Sequence, residues 1–418
     1  MKVLLRTYGC RANQYDTEAV RSLLASAGAE ETEDVEEADF AIFNSCTVTA
    51  SAEADLRSDV RAARARNPRI ESVVMGCAAG IPNRDENIFP LRSLPGVSAT
   101  VAGADLGSIA AALGLQSTGS RTDSTIIQTG ARALLRIQDG CDEHCTFCAT
   151  TIARGANRSR SIDAIVGEAS ALADTHPEIV ITGIHIGTYG ADTGSSLGEL
   201  VETLIVRVPR VRFRLSSVEA TEVDDRLAEL FNGDSGRLAP HLHAPLQSGS
   251  NAVLKRMGRH WYSAESYEAA VMRLVTNGKL FALSADVIAG FPGETDADHS
   301  QTMSMIERLP FTSLHVFPYS PRPGTAAVRL AGAVSGAVAR NRASALRQVA
   351  SARNVAYSSR RIGQECDVVV TGRGKGLTED YLSVSVSDQS IPRRARFAGR
   401  LGLADGRLTA FPDAQSHG

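Results

Sequence analysis

The chain has 418 residues, of which 43% are hydrophobic and 22% charged, as expected of a globular protein with a buried core. Its formal net charge of −3 excludes a strongly basic protein, so any contact with nucleic acid must come from local patches. No apolar run is long enough for a membrane span or a signal peptide, and the seven cysteines favour metal ligands or buried thiols over disulfides. We therefore predict a cytoplasmic protein without membrane contact, made of roughly two to four domains.

Strand and helix patterns alternate over residues 1–115. The segment Ala52–Arg66 has the periodicity of an amphipathic helix. Short apolar runs predict strands at Lys2–Arg6, Ala38–Asn44 and Ile70–Met75, and a further strand–helix step at Ala99–Leu113. This alternation predicts an open parallel α/β domain.

Residues 116–130 are rich in Ser, Thr and Gly and are predicted to form a linker. Over 131–360 the alternation resumes, with predicted strands at Ala133–Gln138, Glu178–Thr182, Val211–Ser217, Leu242–Gln247, Leu283–Ala289 and Leu314–Tyr319. Six strand–helix steps around one rim predict a partial (β/α)6 barrel of the TIM type. Short strands with Gly-rich turns over 361–418 predict a small all-β barrel.

Three cysteines follow the first barrel strand on one loop, Cys141-Asp-Glu-His-Cys145-Thr-Phe-Cys148. Three thiolates at this spacing can hold three irons of a [4Fe–4S] cluster, which leaves the fourth iron open for a reactant. A structural zinc site needs four ligands, and no fourth cysteine or suitably placed histidine is nearby in sequence. The spacing therefore predicts an iron–sulfur cluster on Cys141, Cys145 and Cys148.

Cys10, Cys46 and Cys77 are far apart in sequence, yet each follows a predicted parallel strand. Because the carboxyl ends of parallel strands share one edge of the sheet, the three thiols are predicted to converge. The residues alone leave a second interpretation equally open, in which these are small buried apolar side chains. We predict that the seventh cysteine, Cys366, is a plain buried thiol.

Motifs along essentially the whole chain resemble those of the radical-SAM superfamily and its methylthiotransferase family. These motifs are Thr7–Asp16, Asn44–Thr49, Gly76–Ala78, Ala133–Cys141, the Cx3CxxC loop, Thr182–Gly190, Arg214–Glu219, Pro245–Ser250, Asp286–Glu294 and His315–Ser320. The resemblance implies that the open iron on the Cx3CxxC loop binds S-adenosylmethionine (SAM), whose reductive cleavage gives a 5′-deoxyadenosyl radical. It also implies a second [4Fe–4S] cluster on Cys10, Cys46 and Cys77.

Two runs, Cys46–Thr49 and His315–Thr325, most resemble the MtaB-type branch of this family. That resemblance implies methylthiolation of carbon-2 of N6-threonylcarbamoyladenosine at position 37 of tRNA. It further implies two molecules of SAM, two clusters, an electron donor such as flavodoxin or ferredoxin, and a monomer. Methylthiolation of isopentenyladenosine in tRNA or of a ribosomal-protein aspartate stays an alternative, and so does a non-enzymatic iron–sulfur protein that binds RNA. Ala149-Thr150-Thr151 departs from the family, which commonly has an aliphatic pair and Pro there.

Polar groups at barrel strand ends are predicted to contact SAM. Thr182 and Gly183 end the second strand and are predicted to face the methionine amine; Ser217 and Glu219 end the third and are predicted to bind ribose or amine; Gln247 ends the fourth. For each of them, a satisfied polar residue at a strand end is the alternative.

Arginines mark two further candidate surfaces. Arg154, Arg158 and Arg160 follow the cluster loop and are predicted to bind the SAM carboxylate or tRNA phosphate, or else to form a solvated basic loop. The run Gly376–Val384 resembles the TRAM domain, which implies RNA binding. There the sequence predicts phosphate contacts from Arg393, Arg394, Arg396 and Arg400, with the ring of Phe397 available for stacking.

Overall fold

The computed structural model describes residues 1–47, 50–81, 90–115, 128–233, 236–275 and 279–413, with the backbone alone for residues 50 and 51. Most of the predicted linker over 116–130 lies outside the described residues. The chain divides into two compact units. The first contains Met1–Thr129, Gln138–Arg158 and Ser320–Arg329, and the second contains Gly130–Ile137, Ser159–Tyr319 and Leu330–Gly418.

The first unit is built on a five-stranded parallel sheet with the strand order β2-β1-β3-β4-β5. Alternate residues of each strand point to opposite faces, so Leu4 and Phe43 join one buried cluster while Val3 and Ile42 join the other. Both faces are apolar because helices cover both, as is usual for parallel sheets. The elements are β1 (Lys2–Thr7), α1 (Arg11–Ser26), β2 (Glu30–Glu31), β3 (Phe40–Ser45), α2 (Ala50–Arg66), β4 (Glu71–Gly76), β5 (Val97–Ala102) and α3 (Leu106–Ala112).

Six parallel strands of the second unit form the predicted partial barrel. They make two three-stranded sheets, β10-β9-β6 and β11-β12-β13, which isolated parallel bridges join at Phe213–Leu238 and Ser217–His243. The elements of this region of the chain are β6 (Ala133–Arg136), β7 (Gln138–Asp139), α4 (Thr150–Arg154), β8 (Arg158–Ser159), α5 (Ile162–Ala173), β9 (Glu178–Thr182), α6 (Leu197–Arg207), β10 (Arg212–Leu215), α7 (Asp225–Asn232), β11 (His241–His243), α8 (Asn251–Arg256), α9 (Ala264–Val275), β12 (Ala282–Ala289), α10 (Asp296–Arg308), β13 (Phe311–Pro318) and α11 (Gly336–Arg361).

The last strands form a closed five-stranded barrel in the order β14-β15-β16-β18-β17. They are β14 (Glu365–Gly372), β15 (Lys375–Thr378), β16 (Ser383–Val386), β17 (Arg396–Ala404) and β18 (Arg407–Pro412). Arg212 of β10 donates to the carbonyl of Asp367, and Arg214 donates to that of Thr378, so this small barrel packs on the six-stranded one within a single unit. The predicted fold class is confirmed in all three parts. Among the described helices, none combines the length and the apolar character needed to cross a membrane.

Candidate functional site

Cys10, Cys46 and Cys77, here called the N-terminal trio, meet at the carboxyl edge of the five-stranded sheet. Oδ1 of Asn13 lies 3.6 Å from Sγ of Cys10 and 3.7 Å from Sγ of Cys77. Cys46 lies beside Cys10, because a Cβ at Gly9, the residue before Cys10, would be 2.5 Å from Sγ of Cys46. Gly9 also has a φ of +107°, which L side chains rarely adopt. The predicted convergence is therefore present, while iron binding stays a prediction.

Asn13 joins the three loops that carry the N-terminal trio. Its side chain is fully buried, and Nδ2 donates to the carbonyls of Tyr8 at 3.2 Å and Ser45 at 2.6 Å. The Ser45 hydroxyl accepts from the amide of Ala78 at 3.0 Å, which fixes the loop of Cys77 as well. Because each loop is tied to the others by buried hydrogen bonds, the thiols are held in place before any ligand binds.

Cys141, Cys145 and Cys148, here called the barrel-loop trio, lie on a loop of the first unit and are all partly exposed. The amide of Cys141 donates to the carbonyl of Gly155 at 3.0 Å, and that of Cys148 donates to the carbonyl of Cys145 at 3.1 Å. Gly140 precedes the loop with a φ of +75°, and a Cβ there would overlap the carbonyl oxygen of Ala156. A glycine is therefore required where the chain enters this loop.

A small cleft of the first unit has walls that are next in sequence to a cysteine of each trio; its volume is about 250 Å³, including space open to solvent. Thr47 lines it directly after Cys46, and Ala149 lines it directly after Cys148. The rest of the wall is formed by Glu53, Ile81, Arg322 and Pro323. The loops that carry the two trios therefore meet at one cleft.

The sequence did not predict that Arg322 lines this cleft. Its only signal there is its position inside the His315–Thr325 run. Its side chain is largely buried, although it lines the cleft. The amide of Ala327 donates to the carbonyl of Thr146 at 2.8 Å and so ties the segment after Arg322 to the cysteine loop.

Arg154 is placed differently from either sequence-based interpretation. Its side chain is 2% exposed, so it is not part of a solvated basic loop and does not reach out to phosphate. Nη2 pairs with Asp16 at 2.7 Å, Nη1 with Asp139 at 3.2 Å, and Nε donates to Sγ of Cys77 at 3.1 Å. Burial raises the pKa of the Cys77 thiol to about 11, and the nearby Arg154 charge opposes that rise. Arg158 stays exposed, whereas Arg160 pairs with Glu168 at 2.7 Å.

The predicted SAM contacts lie at strand ends of the six-stranded barrel in the second unit. Thr182 ends β9, where its carbonyl accepts from the amide of Ile137, and Gly183 follows it. Ser217 is exposed beyond β10, and Gln247 follows β11 with a φ of +62°. Glu219 is buried, and its carboxylate accepts from Arg259 and Trp261, two residues without a sequence signal. Contact of these groups with SAM stays a prediction.

His185 and Glu222 add a polar pair at the same rim that sequence reasoning missed. Nε2 of His185 lies 2.7 Å from Oε1 of Glu222, and one ligand atom from each of these residues and Glu219 lies within 4.8 Å of the others. Gly187 makes room for the pair, because a Cβ there would overlap the Glu222 carboxylate. Glu219 is also paired with Arg259, so His185, Glu219 and Glu222 belong to a hydrogen-bonded network at the rim of the barrel.

The donor atoms of both trios fit iron–sulfur clusters. Thiolates are soft ligands that select iron–sulfur clusters or zinc over harder ions. N–H groups stand beside sulfur in each trio: Nε of Arg154 at Cys77, and the amide of Thr150, whose nitrogen lies 3.4 Å from Sγ of Cys148. Hydrogen bonds of this kind stabilise the negative charge on cluster sulfurs.

Fewer residues of the small barrel are exposed for RNA contact than the sequence predicted. Phe397 is 4% exposed and packs in the barrel core, so the prediction of a stacking ring at this position is wrong. Arg396 pairs with Asp367, and Nε of Arg394 donates to the carbonyl of Gly130. Arg393 and Arg400 remain exposed among the four predicted arginines.

Two family models match the chain. Residues 2–90 match the uncharacterized protein family UPF0004, and residues 135–306 match the radical SAM superfamily. The threonylcarbamoyladenosine tRNA methylthiotransferase MtaB of Thermotoga maritima is 35% identical to this chain, over 98% of this chain and 99% of its own length. The protein of the same name from Bacillus subtilis is 34% identical over 92% of this chain and 88% of its own length.

Among solved structures, the radical S-adenosylmethionine methyltransferase TsrM of Kitasatospora setae, with cobalamin and a [4Fe-4S] cluster bound, is similar with a TM-score of 0.58. The match covers 78% of this chain and 76% of that chain at 15% identity, and it supports the fold alone. The relative from Thermotoga maritima aligns with this chain along nearly the whole length of both proteins at more than 30% identity. This chain therefore belongs to the radical-SAM methylthiotransferase family of iron–sulfur enzymes.

Proposed function

We propose that the protein transfers a methylthio group to carbon-2 of N6-threonylcarbamoyladenosine at position 37 of tRNA. The proposal draws its substrate from the relatives in Thermotoga maritima and Bacillus subtilis, whose names carry that activity. The observation that carries it is the cleft lined by Thr47 next to Cys46 and by Ala149 next to Cys148. Sulfur insertion needs one carbon atom to meet both a radical source and a sulfur source, and the meeting of the two cysteine loops at one cleft supports this proposal.

In this proposal the barrel-loop trio holds one [4Fe–4S] cluster and the N-terminal trio holds a second. When bound, the clusters and two molecules of SAM supply the radical chemistry and the methylated sulfur. The chain's own residues hold the thiols in place through Asn13 and Gly140 and line the cleft with the aliphatic walls of Ala149 and Pro323.

The net reaction replaces the carbon-2 hydrogen with a methylthio group. One SAM would give its methyl group to a sulfide-level sulfur and leave as S-adenosylhomocysteine, and the other would take up one electron, release methionine and carry the carbon-2 hydrogen away in 5′-deoxyadenosine. Formation of the C–S bond would return one electron, so the external reductant, which we propose to be a flavodoxin or a ferredoxin, is needed to start the radical step. We expect the enzyme to act as a monomer in the cytoplasm, where tRNA is available. The predicted SAM contacts, Thr182, Gly183, Ser217, Glu219 and Gln247, are proposed to orient that cofactor at the barrel rim.

The test uses anaerobically reconstituted protein, SAM, a reductant and tRNA that carries threonylcarbamoyladenosine without the methylthio group. Mass spectrometry of the nucleosides is expected to show the added methylthio group on that base, together with 5′-deoxyadenosine in solution. Modification of isopentenyladenosine tRNA instead, or of a ribosomal protein, would assign one of the alternative substrates. Absence of deoxyadenosine from cluster-loaded protein would favour an RNA-binding protein without this activity.

A further inference from the structure

Arg154 joins the loop of one cysteine trio to a cysteine of the other. We infer that it is a positioning residue that tunes the electron affinity of the cluster on the N-terminal trio through its hydrogen bond to Cys77. The inference rests on the proposed function, because it requires that the N-terminal trio hold a cluster.

The guanidinium of Arg154 is held on several sides by groups of the first unit. Nε donates to Sγ of Cys77 at 3.1 Å, and Nη2 donates both to Asp16 at 2.7 Å and to Oδ1 of Asn13 at 3.1 Å. Nη1 donates to Asp139 at 3.2 Å. Because Asp16 is 0% exposed, these contacts are shielded from solvent and fix the direction of the Nε–H bond.

The backbone sets the position of this side chain relative to both trios. Arg154 is the last residue of α4, which begins two residues after Cys148. The helix packs on the turn that follows Cys77, and a Cβ at Gly80 would lie 2.8 Å from the carbonyl oxygen of Ala153. A rigid path of a few residues therefore runs from the barrel-loop trio to the sulfur of Cys77.

The physical effect follows from charge. Reduction of a cluster adds negative charge that is shared with its thiolate ligands, and a hydrogen bond from a cation to a ligand sulfur stabilises the reduced state. Loss of Arg154 should therefore lower the midpoint potential of this cluster. A merely structural role, in which Arg154 only neutralises buried Asp16, would change stability but not the potential.

The experiment isolates this cluster by replacing Cys141, Cys145 and Cys148 with Ala in every protein. In that background, Asp16→Asn keeps the Arg154 bond to sulfur, and Asp16→Asn combined with Arg154→Met removes it without leaving an unpaired carboxylate. Redox titration followed by electron paramagnetic resonance is expected to show that the double substitution lowers the reduced-to-oxidised ratio at fixed potential about tenfold relative to Asp16→Asn. For a one-electron couple, that corresponds to about 59 mV.

Equal midpoints in the two proteins at equal iron content would overturn the inference and leave the proposed function standing. Absence of iron from the background protein would overturn both. A second variant, Arg154→Lys, keeps a cation beside Asp16 but lacks the planar guanidinium. It is the variant to measure if the protein with the double substitution does not take up iron. With Cys10, Cys46 and Cys77 replaced instead, Arg154→Lys should leave the midpoint of the remaining cluster unchanged; an equal shift there would mean that Arg154 acts through the loop and not through Cys77.

Discussion

The hydroxyl oxygen of Thr150 lies 3.0 Å from Sγ of Cys148, and the amide nitrogen of the same residue lies 3.4 Å from that sulfur. An aliphatic residue at this position, as the family commonly has, could offer only the amide. As a thiol, Cys148 donates to this hydroxyl. As a cluster-bound thiolate it would accept from the hydroxyl, so the threonine offers that sulfur a second donor. Added donors at ligand sulfurs raise the potential of a cluster, which makes its one-electron reduction easier.

Thr150→Val removes this hydroxyl while it keeps the shape of the side chain. We expect a lower midpoint potential for the cluster on the barrel-loop trio, measured by redox titration after Cys10, Cys46 and Cys77 have been replaced with Ala. Thr151→Val is the matched control, because it makes the same change one residue further along the helix. Equal midpoints in the two variants would show that the Thr150 hydroxyl does not act on the cluster.

Replacing each trio with Ala should produce a different defect. Loss of the barrel-loop trio is expected to halve the iron content and abolish 5′-deoxyadenosine formation, because the radical is generated there. Loss of the N-terminal trio is expected to halve the iron as well, but to leave deoxyadenosine formation and stop methylthio transfer. Iron analysis and chromatography of the products measure both effects. Normal methylthio transfer without the N-terminal trio would mean that those thiols are core residues.

Glu178 is fully buried at the base of the six-stranded barrel and pairs with Arg212 at 2.6 Å and with Arg214 at 2.8 Å. Glu178→Gln would leave the buried guanidinium of Arg214 without its carboxylate and that of Arg212 with Asp367 alone, so we expect the free energy of unfolding to fall by about 3–5 kcal/mol. Urea denaturation of the metal-free protein at neutral pH measures this loss. Glu202→Gln is the control, since its pair with Arg226 is half exposed and should contribute at most about 1 kcal/mol.

The same glutamate predicts a pH dependence of stability. Burial alone would raise the pKa of Glu178, but Arg214 and Arg212 hold it well below the usual value. The stabilisation is therefore complete above the ordinary glutamate pKa of about 4.3 and is lost as the pH falls below it. We expect wild-type, metal-free protein to lose more stability between about pH 5 and about pH 3 than Glu178→Gln does. Parallel curves for the two proteins would contradict the assignment.

Arg393 and Arg400 are the most exposed of the four predicted arginines of the small barrel, and the pair that Arg400 forms with Glu365 at 3.2 Å is exposed to solvent and therefore weak. Changing both to Glu should weaken tRNA binding and reduce the slope of log K against log salt by about two, since each lost phosphate contact releases roughly one counterion fewer. Filter binding over a salt series measures both quantities. The control changes Arg207 and Arg226 to Glu, two half-exposed arginines of the other barrel. Equal effects of the two pairs would mean that the small barrel is not the RNA-binding surface.

The small barrel is joined to the six-stranded barrel by buried contacts. Arg212 and Arg214 donate to backbone carbonyls of β14 and β15, and Arg214 also stacks over the ring of Tyr381. A truncation that removes these strands would take away the carbonyl partners of two buried cations and expose the Arg–Glu178 group to solvent. Surface substitutions therefore test RNA binding better than deletion of residues 362–418.

Features that depend on short spacing or on strand order could be predicted from the chain alone. Cys141, Cys145 and Cys148 lie within eight residues and therefore stay close together, and the ends of β1, β3 and β4 meet because parallel strands align their carboxyl ends. Six strand–helix steps likewise specified the partial barrel. These predictions rest on local periodicity, which the chain carries without reference to distant residues.

The directions of individual charged and aromatic side chains could not be predicted, because they depend on residues that are distant in the chain. Arg154 pairs with Asp16, 138 residues away, and no local pattern encodes that meeting. Phe397 and Arg396 are neighbours on β17, and the alternation of a strand sends one inward and keeps the other at the surface. Which of the two is buried depends on the register against β14 and β18, because a shift of one residue exchanges the faces. A buried cation or ring is thus fixed by the partners that the fold brings to it, whereas a cysteine spacing is fixed by the chain alone.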